Sequence, residues 1–320
     1  MEYARFFQKE NDVSSPTSRP DDSVTVVVPR PWLGVWTLCR REITRFLRQR
    51  SRFIGALAQP LLFWVLFGAG LHGSFQAPEW APSGMSYQEY FFPGIAILIL
   101  MFTAIFSSIS VIEDRHEGFL QGVLVSPVSK SALVMGKLAG GTALAVGQAI
   151  LFLGVGFGLS RFGLAPGMNL DISFLNGIGL FLFLCLVAFS LSAMGFVIAW
   201  RLDSVQGFHA IMSVVLMPMW LVSGAFFPGG GSTVLDWVIR LNPLTYGVAG
   251  VRRLLYSDSF GMMDGEVAGL PGMSVCVGVS VLFGAVCFAG AVHQARQVSR
   301  AKGSSSRQPT PDSKSAERSK

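Results

Sequence analysis

The sequence predicts an all-α membrane protein with six transmembrane helices. Three observations carry that prediction: the shortage of charge, the length of the apolar runs and the placement of the basic residues. Charged residues make up 14% of the 320-residue chain and hydrophobic residues 51%. A soluble domain carries about 25% charged residues, so this chain lacks the charge to cover a water-facing surface. About 30 Å of hydrocarbon, crossed at 1.5 Å per residue, requires about 20 apolar residues. Six runs reach that length, at about 53–72, 91–112, 138–160, 174–200, 208–227 and 273–293. They occupy most of the chain and leave no room for a soluble catalytic domain. Cytoplasmic segments are enriched in Lys and Arg. With the N-terminus inside, 21 of the 25 basic residues fall inside, and only Arg161, Arg240, Arg252 and Arg253 fall in outside loops. Both termini are therefore expected in the cytoplasm. The net charge of +6 is a topology signal, and no nucleic-acid partner is expected.

Each element follows in order. Residues 1–31 form a polar tail without the apolar core and small-residue cleavage site of a signal peptide, so the first span is expected to act as an uncleaved anchor. The segment WLGVWTLCRREITRFLRQR (32–50) spaces Trp32, Trp36, Cys39, Ile43, Phe46 and Leu47 at helical intervals, with Arg40, Arg41, Arg45 and Arg48 largely between them. That pattern predicts an amphipathic helix in the inner membrane interface, its arginines toward phosphates; a cytosolic helix packed on a partner is the alternative. The loop between the second and third spans contains EDRHEGFLQGVL, where charge and apolar residues are interleaved. It is either a helix leaving the membrane or a surface gripped by another protein. At and within the third span, Gly136 with Gly140 and Gly154 with Gly158 fit small-xxx-small packing. After the fifth span, Val234, Trp237, Val238 and Leu241 share one face of a short helix that Asn242-Pro243 stops, since proline cannot continue the backbone ladder. Leu244, Val248, Val251 and Leu255 then restart an apolar face. Residues 294–320 are Ser/Lys-rich without periodicity and are expected to be a disordered cytoplasmic tail.

The chemistry that these residues exclude narrows the function. Within the six limits there is no Asp, Glu, Lys or Arg, the groups that usually mark ion-coupled transport or voltage sensing at membrane depth. Neither paired acids nor HExxH occur in the spans. His72, His116, His209 and His293 sit singly at span ends, and the four cysteines show no CxxC, so a disulfide framework or a metal site is not expected. SALVMGKLAG (131–140) fails as a phosphate loop: Ser131 replaces the first glycine and Leu138 follows Lys137, where GxxxxGK[ST] is required. Any energy for transport must come from another chain.

A span ending MPMWLVSGAFFP (217–228), followed by GGGSTVLDWVIRLNPLTYGVAGVRRLLY (229–256), resembles the ABC-2 family of ATP-binding-cassette transporter permeases. The branch of drug exporters and nodulation-factor exporters is the most similar, and the resemblance covers about residues 32–293, the transmembrane domain. Its residues here are Gly224, Phe227, Pro228, Asn242, Pro243, Tyr246, Gly247 and Arg252. Ala249-Gly250 departs from it, where many relatives carry an acid and a small residue. The resemblance implies six spans with both ends inside, a bacterial inner-membrane location and a re-entrant helical hairpin before the last span. It also implies a docking helix over about Glu113–Leu124 that seats in an ATPase subunit. There Glu113, Asp114, Arg115 and Glu117 would surround an apolar knob of Phe119, Leu120, Val123 and Leu124, with Gly118 and Gly122 allowing close approach. ATP and Mg2+ would bind the partner ATPase and no cofactor this chain. Two copies, or this chain and a similar permease, would pair among membrane lipids to export an amphiphile such as a drug, glycolipid or lipo-oligosaccharide. Candidates for its path are Gln59, Thr103, Phe106, Gln148, Phe189 and Trp220. The alternatives are a polysaccharide-type export permease and, in a different class, a non-transporting scaffold or an intramembrane enzyme.

Overall fold

The computed structural model describes residues 31–71, 73, 75–78, 81, 84–126, 128–162, 172–226, 233–260 and 270–305, with backbone alone at 52, 125, 257–260 and 298–305. Among these every regular element is helical: α1 (Pro31–Arg48), α2 (Arg50–Gly70), α3 (Tyr87–Ser107), α4 (Ile109–His116), α5 (Phe119–Val125), α6 (Lys130–Arg161), α7 (Phe174–Ala199), α8 (Val205–Trp220), α9 (Thr233–Leu241), α10 (Pro243–Phe260) and α11 (Met273–Ser305). Six stretches are long and apolar enough to cross a membrane: Phe53–Gly70, Tyr87–His116, Lys130–Arg161, Phe174–Ala199, Val205–Ala225 and Met273–Gln297. Each overlaps one predicted run.

Serine side chains set four of the helix starts. Ser86 accepts a hydrogen bond from the Glu89 amide while the Glu89 carboxylate accepts from the Ser86 amide, a reciprocal capping box that begins α3. Ser129, Ser173 and Ser204 cap α6, α7 and α8 in the same position. These caps place the helix ends outside the apolar runs, and α6 accordingly begins eight residues before position 138. The C-terminal boundary needs a larger correction. α11 continues to Ser305, because VHQARQVSRAK contains no helix breaker after position 293 and is rich in good helix formers; residues 306–320 of the expected tail lie outside the described residues.

α3 is the axis of the bundle. It is buried along almost its whole length and packs against α2, α6, α7 and α10. Close approach is made by small residues: a Cβ on Gly94 would lie 2.7 Å from the Ala225 Cβ. α1 lies on the first half of α6, where a Cβ on Gly136 or Gly140 would lie 2.7 Å from Leu38 or 2.6 Å from Glu42. The first small-residue pair therefore packs as its spacing suggests, whereas Gly154 and Gly158 meet no atom within 4 Å.

Candidate functional site

At the end of the bundle predicted as cytoplasmic, α1, α4 and α6 are joined by a buried cluster of charge. Glu42 comes from α1, Ser110 and Asp114 from α4, and Lys137 from α6. Lys137 Nζ donates to Glu42 Oε1 at 2.8 Å, to Asp114 Oδ2 at 2.5 Å and to Ser110 Oγ at 3.1 Å. Arg41 grips both Asp114 oxygens, at 2.7 and 3.0 Å, and Arg45 adds a third guanidinium contact at 2.9 Å. Arg45 also pairs with Glu113 at 3.1 Å and Glu117 at 2.9 Å. The helical rise explains the division of labour: Arg41 and Arg45 are four residues apart and so project from one face of α1, toward α4. A fully buried carboxylate such as Asp114 is tolerable only when paired and hydrogen-bonded. Cys39, beside this cluster on α1, is buried, and burial followed by the Glu42 carboxylate pushes its thiol up, which fits a small apolar filler.

The predicted docking helix is two helices. Gly118 adopts φ +76°, a left-handed conformation that breaks α4 from α5 and suits glycine; neither it nor Gly122 makes a close packing contact. Two predicted docking residues are consumed internally, Asp114 by its three cations and Leu120 by the core. Arg115 also turns inward, donating to the Trp200 carbonyl at 2.6 Å and pairing with Asp203 at 3.0 Å. His116 Nε2 lies 2.7 Å from the Asp203 carbonyl, so the α7–α8 turn is strapped to the end of α4. What faces outward is His116, Glu117, Gly118, Gln121 and Gly122, with Phe119, Val123 and Leu124 half-buried behind them. Phe119 is braced by the Arg41 guanidinium 3.8 Å above its ring.

The opposite end is built around the family-like motif. α8 closes with a π-helical turn, Leu221–Ala225, in which Gly224 takes φ +74°. Its turned carbonyl accepts from Tyr90 Oη at 2.8 Å and from Arg252 Nη2 at 3.2 Å. Arg252 also donates to the Tyr90 carbonyl and lies 4.4 Å over the Tyr90 ring. Trp220 Nε1 donates to the Gly94 carbonyl at 2.9 Å. Phe227 and Pro228 lie outside the described residues. In the Asn-Pro-Leu-Thr-Tyr stretch the side chains serve both helix ends at once. Asn242 Oδ1 accepts from the Leu244 amide at 3.0 Å and its amide donates to the Met219 carbonyl. Thr245 and Tyr246 donate back to the Ile239 and Arg240 carbonyls at 2.7 and 2.8 Å, satisfying the last turn of α9. α9 leaves Val234, Trp237, Val238 and Leu241 exposed, whereas α10 is buried through Leu244, Val248, Val251 and Leu255. Gly247 sits beside Ile97 and Val187, midway along α3 and α7, while Tyr256 reaches the Glu89 carbonyl at the start of α3. Arg252 and Arg253, expected in an outside loop, are thus buried. Arg253 donates to the Pro271 and Leu270 carbonyls at 2.8 and 3.1 Å.

Between α2, α3 and α8 lies a cavity of about 250 Å3 whose lining includes Gln59, Thr103, Phe106 and His209. The His209 ring stands 4.9 Å from that of Phe106. Three of the six path candidates therefore converge. Gln148 stands behind Thr103, hydrogen-bonded to its hydroxyl; Phe189 stacks on Phe288 between α7 and α11, and Trp220 belongs to the aromatic core. Sequence reasoning missed Glu42, Lys137, Arg253 and His209. Lys137 carried a usable signal, a lysine flanked by Gly136 and Gly140 on the face that receives α1.

Comparison with known proteins agrees with this architecture. A family described as ABC-2 type transporter matches residues 34–256. The ycf38 protein of Cyanophora paradoxa, which carries the name of a transport permease, is 28% identical over 78% of this chain and 82% of its own. The daunorubicin resistance ABC transporter permease protein DrrB1 of Streptomyces coeruleorubidus is 25% identical over 68% of this chain and 74% of its own. Nodulation protein J of Rhizobium leguminosarum bv. trifolii is 24% identical over 70% and 80%.

Proposed function

The chain belongs to the ABC-2 type transporter family and is a multi-pass membrane protein, and from these premises we propose that it is the membrane-spanning subunit of an ATP-driven exporter in a bacterial inner membrane, with both termini cytoplasmic. ATP and Mg2+ act on a separate ATPase chain, and this chain performs no bond chemistry. The observation that carries the reading is the inner platform. Its outward residues sit on a turn that Arg41, Arg45, Arg115 and Lys137 lock to α1, α6 and the α7–α8 turn, so a push on the turn moves several spans together.

The substrate is an amphiphile. Among the described residues, the cavity lining presents rings, hydroxyls, an amide and an imidazole, and no carboxylate or guanidinium. The names of two relatives, a daunorubicin-resistance permease and a nodulation protein, point the same way. Two copies pair through the exposed apolar faces of α2 and α8, where Ile54, Leu62, Leu66 and Val214 lie open. α9 and the first turns of α10 form the re-entrant hairpin, dipping from the outer surface to the level of Gly247, and α1 lies in the inner interface.

The test is co-purification with a co-expressed ABC-type ATPase subunit. Phe119→Ala removes the braced ring at the docking surface and is expected to lower bound ATPase at least tenfold with the permease still folded; truncated anchors commonly lose about 2 kcal/mol or more. Leu120→Ala acts within the fold and lowers thermal stability instead. An undiminished, normally coupled complex from Phe119→Ala would remove this turn from the docking site.

A further inference from the structure

The arginines of α1 and of the turn into α2 fall into two sets. Arg41 and Arg45 are engaged with Asp114, Glu113 and Glu117. Arg40, Arg48 and Arg50 are exposed and, among the described residues, make no ion pair or side-chain hydrogen bond. Their placement on the helix is informative. At 100° per residue, Trp36, Leu47, Arg40 and Leu33 follow one another within about 60° of the α1 circumference, and Trp32 adjoins them. All four apolar members are more than half exposed. Arg40 therefore stands in the middle of an uncovered apolar arc, where water is a poor neighbour for the tryptophans and hydrocarbon a poor one for the guanidinium. The membrane–water boundary suits both, because an arginine stem lies along apolar surface while its head reaches phosphate. Continuity supports that placement: Gln49 alone separates α1 from α2, and the exposed arc runs on to Ile54 at the start of the first crossing.

Three unpaired cations at one boundary discriminate among lipids. We propose that α1 and the α1–α2 turn form a binding site for anionic phospholipid, with Arg40, Arg48 and Arg50 on the headgroups and Trp32, Trp36 and Leu47 in the inner leaflet. The site rests on the reading of α1 as an interfacial helix and is independent of what the protein transports. It also has a consequence for the platform. The helix that engages the lipid is the one that brings Arg41 and Arg45 to Asp114, so membrane charge helps to hold the platform in register.

The experiment uses the full chain in mixed vesicles and reads quenching of tryptophan fluorescence by brominated phosphatidylglycerol against brominated phosphatidylcholine. A Trp32→Phe/Trp36→Phe variant supplies the signal of the other tryptophans. Brominated phosphatidylglycerol is expected to be the stronger quencher of Trp32 and Trp36. Each arginine near an anionic surface contributes about fivefold in affinity, so Arg40→Gln should cut the preference about fivefold. Arg40→Gln/Arg48→Gln/Arg50→Gln should abolish it, and Arg40→Lys should keep it. Equal quenching by the two lipids, or an undiminished preference in the triple variant, overturns the site. Absence of quenching by either lipid puts α1 against protein or water and overturns it as well. Neither ATPase nor substrate is involved, so failure here and failure of the exporter reading are separate results.

Discussion

Lys137 is the sharpest point at which to perturb the inner platform. Its side chain is 3% exposed and its ammonium contacts Glu42, Asp114 and Ser110. The cluster holds three cations, Arg41, Arg45 and Lys137, against four carboxylates, Glu42, Glu113, Asp114 and Glu117. Lys137→Met keeps most of the length of the side chain and removes the charge, leaving two cations for the same four carboxylates. Removing one partner of a buried pair costs about 3–5 kcal/mol. The lower figure applies here, because Asp114 retains three guanidinium contacts and Glu42 retains Arg41 at 3.3 Å. About 3 kcal/mol corresponds to a fall in Tm of roughly 4–5 °C for a chain of this size. Thermal unfolding in lipid nanodiscs, followed by size-exclusion fluorescence, measures it. Glu42→Gln in the Lys137→Met background removes the buried carboxylate that loses its shorter partner and should recover more than half of the loss. A Lys137→Met protein as stable as the parent, or strict additivity of the two substitutions, would refute the argument.

Three further outcomes are expected. Gly140→Val drives a branched side chain into Glu42 on α1 and should lower stability by more than about 2 kcal/mol in the same assay, whereas Gly158→Ala, in open space, should be neutral or stabilising by up to about 1 kcal/mol. Asn242→Ala removes the cap of α10 and the tie to Met219 and should cost about 1–2 kcal/mol; an unchanged Tm would show that proline alone sets this break. In a cysteine-free background, Thr233→Cys should react with a membrane-impermeant thiol reagent in intact cells and Gln121→Cys only after lysis; the reverse pattern overturns the topology.

What the sequence disclosed depended on whether the physics was local. Six crossings follow from run length alone, and each predicted run meets a helix of the right kind. The stop at Asn242-Pro243 was legible because proline and a capping side chain act within a few residues of themselves. The break at Gly118 was legible only as a glycine, since nothing in EDRHEGFLQGVL says which of Gly118 and Gly122 turns left-handed. Pairings between distant residues left no local trace. Asp114 meets Arg41 across 73 positions and Arg252 meets Tyr90 across 162, whereas the family resemblance put Asp114 on a docking surface and the count of charge by segment put Arg252 in a loop. Phe189 and Trp220 pack against other rings away from the cavity, a placement the sequence does not foretell, because an aromatic ring facing a core partner and one facing a cavity have the same sequence signature.

The two ends of the bundle solve the problem of buried charge in different ways, and the difference follows from what each end must hold. At the end formed by α1, α4 and α6 the cations meet carboxylates, Arg115 reaching the Trp200 carbonyl as well, and the helices are tied to one another by side chains. At the opposite end the cations meet backbone. Arg252 reaches the carbonyls of Tyr90 and of Gly224 in the π-helical turn, and Arg253 those of Leu270 and Pro271 just before α11. Apolar surroundings offer no water to a carbonyl released by an irregular turn, so such backbone persists only where protein groups satisfy it. A guanidinium with five donors serves two or more such carbonyls at once. The buried arginines of α10 therefore satisfy carbonyls at the π-helical turn and just before α11, where α10 lies in the bundle beside α3 and α7.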